Sequence, residues 1–238
     1  MSFYKRNLPH WQPEGAEYFI TFRLAESLPA EAVATIKNER ALRLLKLKNA
    51  TSSSGSLPEK QGIHDMVRAG SDRLSDLQEQ IERSTFLKYE ALLDKADAGP
   101  VWLKQPEVAD IVQEAIHHRD QKEYDLYAYC LMPNHVHLVF KLIEQNEISE
   151  ETHEYLVTDI LKSLKWFTAL KCNELLERNG IFWQSESYDR VIRDSQELEN
   201  TIAYTLNNPV KAGFDENWED WPYSYFKPEF LELYTNDT

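Results

Sequence analysis

The sequence predicts an α+β fold, a small antiparallel sheet with helices on its faces, and three observations support it. Segments with strand-like alternation and segments with helical spacing occur in the order strand, helix, strand, strand, helix, strand, helix once residues 29–96 are set aside. A short turn, Met132–Asn134, joins two strands that therefore pair, and the hydrophobic fraction of 42% is enough for a core. The order suits a ferredoxin-like sandwich. We expect residues 1–238 to form one domain, with residues 29–96 as a helical insertion within it.

The first strand, Glu17–Leu24, shows the alternation of a strand with two different faces. One face is apolar and consists of Tyr18, Ile20, Phe22 and Leu24. The other face is mixed and consists of Phe19, Thr21 and Arg23. We expect the apolar face to enter the core.

The insertion reads as a helical hairpin with a loop between its helices. The first helix runs from Pro29 to about Lys48, the loop is Thr51–Gly62, and the second helix is Ser71–Ala96. The apolar positions expected to face inward are Val33, Ile36, Leu42 and Leu45 in the first helix and Leu74, Leu77, Ile81 and Leu92 in the second. The lysines and arginines of the first helix fit a DNA contact and a plain solubilising surface equally well.

The remaining elements follow the same two periodicities. In chain order they are helix Pro106–Arg119, strand Glu123–Leu131, strand His135–Leu142, helix Thr152 to about Arg178, strand Tyr188–Arg193, and a helix to about Asn208. Asp194 is a good N-cap for the last helix, with Glu197 three residues on, as in a capping box. Pro209 is expected to stop that helix.

Composition limits the function classes. No apolar run reaches the roughly 18 residues of a membrane span. The N-terminal residues also lack the apolar stretch of a signal peptide, so we expect a cytoplasmic protein that contacts no membrane. Two cysteines make no disulfide framework. The net charge of −14 opposes nucleic-acid binding, but it does not fix the sign of the charge in one groove.

His135 and His137 are the first candidate site. Residues two apart in a strand point to the same face, so both imidazoles stand side by side and could hold one metal ion. For a bare His-x-His pattern, an exposed polar strand face is the commoner explanation. In either case we expect both side chains to be exposed.

Tyr204 is the second candidate, because it shares a helix face with Asn200 and Asn208 at a spacing of four. A tyrosine beside a phosphodiester can attack it, and the resulting phosphotyrosine ester keeps the energy of the bond for rejoining. Tyrosine is a poor nucleophile at its ordinary pKa of about 10, so a nearby cation is needed. Taken alone, a tyrosine that packs a helix on a sheet is the commoner explanation.

Basic side chains form the third candidate. Lys162 and Lys165 share a helix face, and with Arg190 and Arg193 they could line a groove for a DNA backbone, although an ordinary solvated helix face is the better explanation of the lysines alone. The aromatic segments Trp183–Gln184 and Trp218–Tyr225 fit base stacking, and the core explains them better.

Five sequence blocks, in order along the chain, connect these candidates to a known family. They are Trp11–Pro13 before Tyr18–Leu24; Met132–His137; Lys162–Ala169; Phe182–Gln184 leading to Tyr188–Asp194; and Tyr204 through Asn208–Gly213. In these blocks the chain resembles the single-tyrosine HUH transposases of insertion sequences, and most of all their REP-associated branch.

The resemblance implies a fold of the HUH nuclease type and a role for each candidate. His135 and His137 would bind a divalent metal, magnesium or manganese, and Tyr204 would attack DNA to form a 5′-phosphotyrosine intermediate. Insertion-sequence relatives carry a metal-binding glutamine one turn after the tyrosine; this chain has the shorter Asn208 there, whose side-chain carbonyl oxygen would be the corresponding metal ligand. The implied partner is single-stranded or hairpin DNA, bound by a monomer or a homodimer.

Two other functions stay open. A non-cutting DNA-binding protein derived from a transposase would keep the fold and lose the chemistry. A metal-dependent hydrolase would use the histidines and leave Tyr204 a structural residue. Covalent trapping separates these, because only a transposase leaves DNA linked to a tyrosine.

Overall fold

The structure, a computed structural model, describes residues 15–52, 63–95, 98–143 and 156–230. The chain divides into two compact units, one formed by Leu28–Lys95 and the other by the residues before and after it. The predicted block Trp11–Pro13 lies outside the described residues.

The smaller unit is a helical hairpin, α1 (Ala30–Ser52) against α2 (Ile63–Leu93). The α2 helix begins eight residues earlier than Ser71, the predicted start, and so directly after the predicted loop. Of that loop, Thr51 and Ser52 belong to α1, and residues 53–62 lie outside the described residues. The inward positions were predicted only in part. Ile36 and Ile81 are buried, whereas Leu42, Leu45 and Leu77 are about half exposed.

Ion pairs replace apolar packing along part of this hairpin. Arg40 forms a bidentate pair with Glu82, and Lys88 pairs with Glu39. Strict helical spacing of leucines therefore misidentified the inward face, because charged residues occupy positions between the two helices. Two of the basic side chains, Arg40 and Arg43, contact α2 residues.

The larger unit contains a five-stranded antiparallel sheet. Its strands are β1 (Glu17–Leu24), β2 (Tyr124–Leu131), β3 (His135–Leu142), β4 (Trp183–Ile192) and β5 (Ser224–Phe226). The strands lie in the order β4-β1-β3-β2-β5. Strand β1 pairs with both β3 and β4, which brings Thr21 opposite His137 on one side and opposite Tyr188 on the other.

One face of the sheet forms the main core. Helices α3 (Pro106–His117) and α4 (Leu156–Leu175) cover it. The apolar residues of β1 and β3 that enter this core are Tyr18, Ile20, Phe22, Leu24, Val136, Leu138, Phe140 and Leu142. This is the face that alternation predicted. The predicted first residues of α4, from Thr152, lie outside the described residues.

The opposite face is covered by α5 (Ser195–Leu206), which contacts β2, β3 and β5. Asp194 caps α5 by accepting a hydrogen bond from the Glu197 backbone N–H at 2.8 Å. Pro209 does not end the helical structure, because only Asn207 separates α5 from the next helix. A short helix, α6 (Asn208–Lys211), follows at once, because proline is tolerated in the first turn of a helix.

The fold class predicted from the sequence is confirmed. Without the hairpin, the order β1-α3-β2-β3-α4-β4 with a β4-β1-β3-β2 sheet is the ferredoxin-like arrangement. Strand β5 was not predicted; it overlaps the end of the aromatic segment Trp218–Tyr225, and its Tyr225 stacks on Tyr129. Trp183 is also core, donating to the Thr168 hydroxyl at 2.8 Å.

None of the helices among the described residues has the length and apolar character needed to cross a membrane.

Candidate active site

The two histidines of β3 form a buried pair. His135 and His137 both point to the α5 side of the sheet, and their Nε2 atoms lie 3.0 Å apart. Both side chains are 0% exposed, so the expectation of exposed histidines was wrong. Alternation correctly gave the face, but it could not show that a helix lies over that face.

Each histidine also has a partner on its outer nitrogen. Nδ1 of His137 is 2.8 Å from the Thr21 hydroxyl, across the ladder on β1. Nδ1 of His135 is 2.7 Å from the Asn134 side-chain oxygen, in the turn before β3. The pair is therefore fixed from both sides, with its inner nitrogens facing one another.

Tyr204 lies beside this pair. Its ring centroid is 5.7 Å from that of His137 and 6.0 Å from that of Phe19, which stacks on His137 in turn. The tyrosine is half-buried. The structure thus brings together a histidine pair and a tyrosine that are well separated in sequence.

Lys211 reaches the same tyrosine from α6. Its ammonium nitrogen lies 5.5 Å from the Tyr204 ring centroid. A cation at this distance is attracted to the ring face, and it adds positive charge next to the candidate nucleophile.

Asn208 and Asn200 differ in environment. Asn208 is fully buried, and its side-chain nitrogen donates to the Tyr204 carbonyl at 3.0 Å. Its side-chain oxygen is also buried, and within the described part of the chain it accepts no hydrogen bond. Asn200 is exposed, so only Tyr204 and Asn208, of the three residues predicted to share a helix face, belong to the site.

Tyr188 is the other tyrosine near this face. It lies on β4 opposite Thr21, and its ring centroid is 6.3 Å from that of Phe19. Strand β1 separates β4 from the histidine strand. Tyr204 is therefore the better placed of the two relative to His137.

The four predicted basic residues do not lie on one face. Lys162 and Lys165 belong to α4, on the core side of the sheet, whereas Arg190 pairs with Phe19 in the ladder and points to the Tyr204 side. Arg190 forms an ion pair with Glu197, and the Arg193 backbone N–H donates to the same carboxylate at 3.0 Å.

The two lysines also differ from each other. Lys162 is exposed and pairs with Asp159 at 3.0 Å. Lys165 reaches the edge of β4, where its Nζ donates to the Ser187 hydroxyl at 3.1 Å. Burial, helped by the nearby charge of Arg23, lowers the pKa of Lys165 to about 8.

Sequence reasoning did not assign a role to Phe19, Thr21 or Lys211. For Phe19 and Thr21 the signal was their place on the mixed face of β1, which had to lie against the histidine face of a neighbouring strand. For Lys211 the signal was its spacing of seven from Tyr204, two helical turns along the chain.

Comparison with known proteins identifies the family. The model of the family described as "Transposase IS200 like" matches residues 102–208, which contain both histidines, the tyrosine and Asn208. Over residues 102–208 the chain matches the IS200-like transposase family. Within this family it is similar to a putative REP-associated tyrosine transposase of Haemophilus influenzae, at 33% identity over 48% of this chain and 66% of that protein.

A second relative by sequence supports the assignment, and a solved structure supports the fold. A REP-associated tyrosine transposase of Escherichia coli is 26% identical over 44% of this chain and 56% of that protein. The alignments with the two bacterial transposases thus span between about half and two thirds of those proteins. A solved structure, a REP-associated tyrosine transposase bound to a REP hairpin, matches with a TM-score of 0.50 at 14% identity, covering 98% of this chain and 87% of that chain. At this identity the structural match establishes the fold alone.

Proposed function

We propose that this protein is a metal-dependent transposase that cleaves and rejoins single-stranded or hairpin DNA, with Tyr204 as the nucleophile. One observation carries the proposal: the Tyr204 ring lies 5.7 Å from His137 of a buried histidine pair. The family supports it, as do the two relatives named as transposases. The similar solved structure, whose protein holds a REP hairpin, supports hairpin DNA as the substrate class.

The residues present fit a divalent cation. The Nε2 atoms of His135 and His137 are separated by 3.0 Å, so both could bind the same ion. Imidazole ligands favour manganese over magnesium. We propose manganese or magnesium at this pair.

Asn208 is the proposed third ligand. Its side-chain oxygen is buried and accepts no hydrogen bond from the described residues, an arrangement that costs free energy unless a cation or another donor satisfies it. An amide oxygen is a suitable donor for a hard cation. The side chain is one methylene shorter than glutamine, and its nitrogen is fixed by the Tyr204 carbonyl.

The reaction that this arrangement supports is a phosphoryl transfer. The Tyr204 hydroxyl attacks the phosphorus, loses its proton, and forms an O–P bond while the bond to the 3′ oxygen breaks and a 3′-hydroxyl leaves. Rejoining reverses the step, because an incoming 3′-hydroxyl attacks the phosphotyrosine and releases the phenol. A bound cation would polarise the phosphate and stabilise the charge that develops on it. Lys211, beside the Tyr204 ring, would add charge at the same place.

The DNA contacts follow the two faces of β4. We propose Arg190 and Arg193 as phosphate contacts on the Tyr204 side. Lys162 and Lys165 would contact the same DNA strand where it passes round the β4 edge, which Lys165 already reaches through Ser187. We also propose that the protein is cytoplasmic and that it is a monomer or a homodimer.

A cleavage assay with the full chain tests the proposal. The substrate is a DNA hairpin with a single-stranded flank, taken from the sequence around the gene, with and without Mg²⁺ or Mn²⁺. We expect metal-dependent cleavage and a protein–DNA adduct on a denaturing gel. Tyr204→Phe should abolish both while hairpin binding remains, because it removes one oxygen and keeps the ring.

Tyr188→Phe is the matched control, since it makes the same change on the neighbouring strand, and it should keep the adduct. Cleavage without any adduct in the unmodified protein would favour the hydrolase, and DNA binding without cleavage under all metal conditions would favour the non-cutting protein. Either result would overturn the proposal.

A further inference from the structure

Two side chains contact the histidine pair on the ring nitrogens that face away from the proposed metal. Thr21 contacts Nδ1 of His137, and Asn134 contacts Nδ1 of His135, at 2.8 and 2.7 Å. Both partners are buried, with exposures of 5% and 0%. Water therefore has little access to replace either contact.

A neutral imidazole carries one proton, so the partner of one nitrogen decides the state of the other. The Asn134 side-chain oxygen can only accept, which places the His135 proton on Nδ1 and a lone pair on Nε2. A hydroxyl can accept as well as donate, so Thr21 can take the Nδ1 proton of His137 in the same way. Both Nε2 lone pairs then point into the space between the two Nε2 atoms, which are 3.0 Å apart.

The backbone holds these two partners in place. Thr21 lies directly opposite His137 in the β1–β3 ladder. Its branched side chain has few rotamers, so the hydroxyl is held at a fixed height above the sheet. Asn134 belongs to the turn that leads into β3, and its backbone carbonyl accepts from the Leu24 N–H at 2.8 Å.

We propose that Thr21 and Asn134 are positioning residues of the metal site: their side-chain oxygens accept the Nδ1 protons of the two histidines and so direct both Nε2 lone pairs to one cation. This inference rests on the proposed metal site and adds residues that do not themselves touch the ion. Outer partners of this kind typically change metal affinity by about 10- to 100-fold when they are removed.

Metal affinity of the full chain tests this role without using DNA. Mn²⁺ binding is measured by titration followed by electron paramagnetic resonance. Thr21→Val keeps the shape of the side chain and removes the acceptor, so we expect affinity to fall by about 10- to 100-fold. Thr21→Ser keeps the hydroxyl and should bind Mn²⁺ nearly as tightly as the unmodified chain.

Thr158→Val is the matched control. Thr158 is a buried threonine on α4, and its hydroxyl has no hydrogen bond to the described residues, so the same change there should leave Mn²⁺ affinity unaltered. Equal Mn²⁺ affinity in Thr21→Val and the unmodified chain would overturn the inference. So would an equal loss in Thr21→Val and Thr158→Val, because it would reflect a general effect of valine.

A spectroscopic measurement keeps the test independent of folding differences among variants. In the unmodified chain with Mg²⁺ bound, ¹⁵N chemical shifts should place the His135 and His137 protons on Nδ1. Protons on Nε2 in that state would overturn the inference while leaving the Tyr204 chemistry untouched. A chain that binds no divalent cation would also overturn it, and persistent adduct formation at Tyr204 would then show that the nucleophile assignment stands without the metal site.

Discussion

At the residue scale, the identities of the site residues could be predicted and their surroundings could not. Alternation in β3 was enough to place His135 and His137 side by side. Their burial could not be predicted, because α5, which contacts β3, follows some 60 residues later and no local pattern encodes its position over the sheet. Thr21 was missed for the same reason, since its contact with His137 exists only through the register of β1 on β3.

Lys165 supplies a prediction about pH. Burial and the charge of Arg23 lower its pKa to about 8, so this lysine is charged below pH 8 and neutral above it. If it contacts a DNA phosphate, affinity for the hairpin should fall as the pH rises from 7 to 9. The measurement is a fluorescence anisotropy titration across this range at constant ionic strength.

Lys165→Arg is the control for that titration, because arginine stays charged throughout and should flatten the pH profile. A profile that is identical in the two proteins would show that the lysine does not meet the DNA.

At the element scale, the long regular segments were predicted well and the irregular ends poorly. Strand His135–Leu142 matches its prediction, because its alternation is continuous and a turn precedes it. Strand β4 begins five residues before the predicted start at Tyr188, and β5 was missed. Both belong to aromatic-rich stretches in which core packing gives no clear period of two.

The N-terminus of α5 gives an element-scale prediction, since this helix carries Tyr204. Asp194 accepts from the Glu197 N–H at 2.8 Å. Asp194→Ala should destabilise the helix start by about 1 kcal/mol. Amide hydrogen exchange in the first turns of α5 should then be about five times faster.

Asp194→Asn is the matched variant, because asparagine is an equally good N-cap and should keep the slow exchange. Equal exchange rates in the alanine and asparagine variants would mean that the cap does not hold α5 in place.

At the scale of the whole molecule, composition was a poor guide to function. The net charge of −14 argues against a polyanionic partner, yet residues 102–208 match a transposase family. The conflict arises because net charge sums over the surface, whereas DNA meets only the charges of one region. Beside the Tyr204 ring, Lys211 supplies positive charge that the sum conceals.

The dependence of hairpin affinity on salt concentration tests whether local positive charge, and not the net charge, governs DNA binding. If several basic side chains meet phosphates, the logarithm of the association constant for the hairpin should fall linearly with the logarithm of salt concentration, by about 0.7 for each phosphate contacted on a single strand. Arg193→Gln should lower this slope by about one such step. An affinity that stays constant from low to moderate salt would leave the acidic composition as the better guide.

The central claim is that Tyr204 attacks DNA, and peptide mapping tests it most directly. The adduct formed on the flanked hairpin with Mn²⁺ is digested with protease and nuclease, and mass spectrometry identifies the residue that carries the remaining nucleotide. We predict the modification on Tyr204, within the α5 peptide beside the histidine pair. A nucleotide on Tyr188 or on any other residue would contradict the assignment.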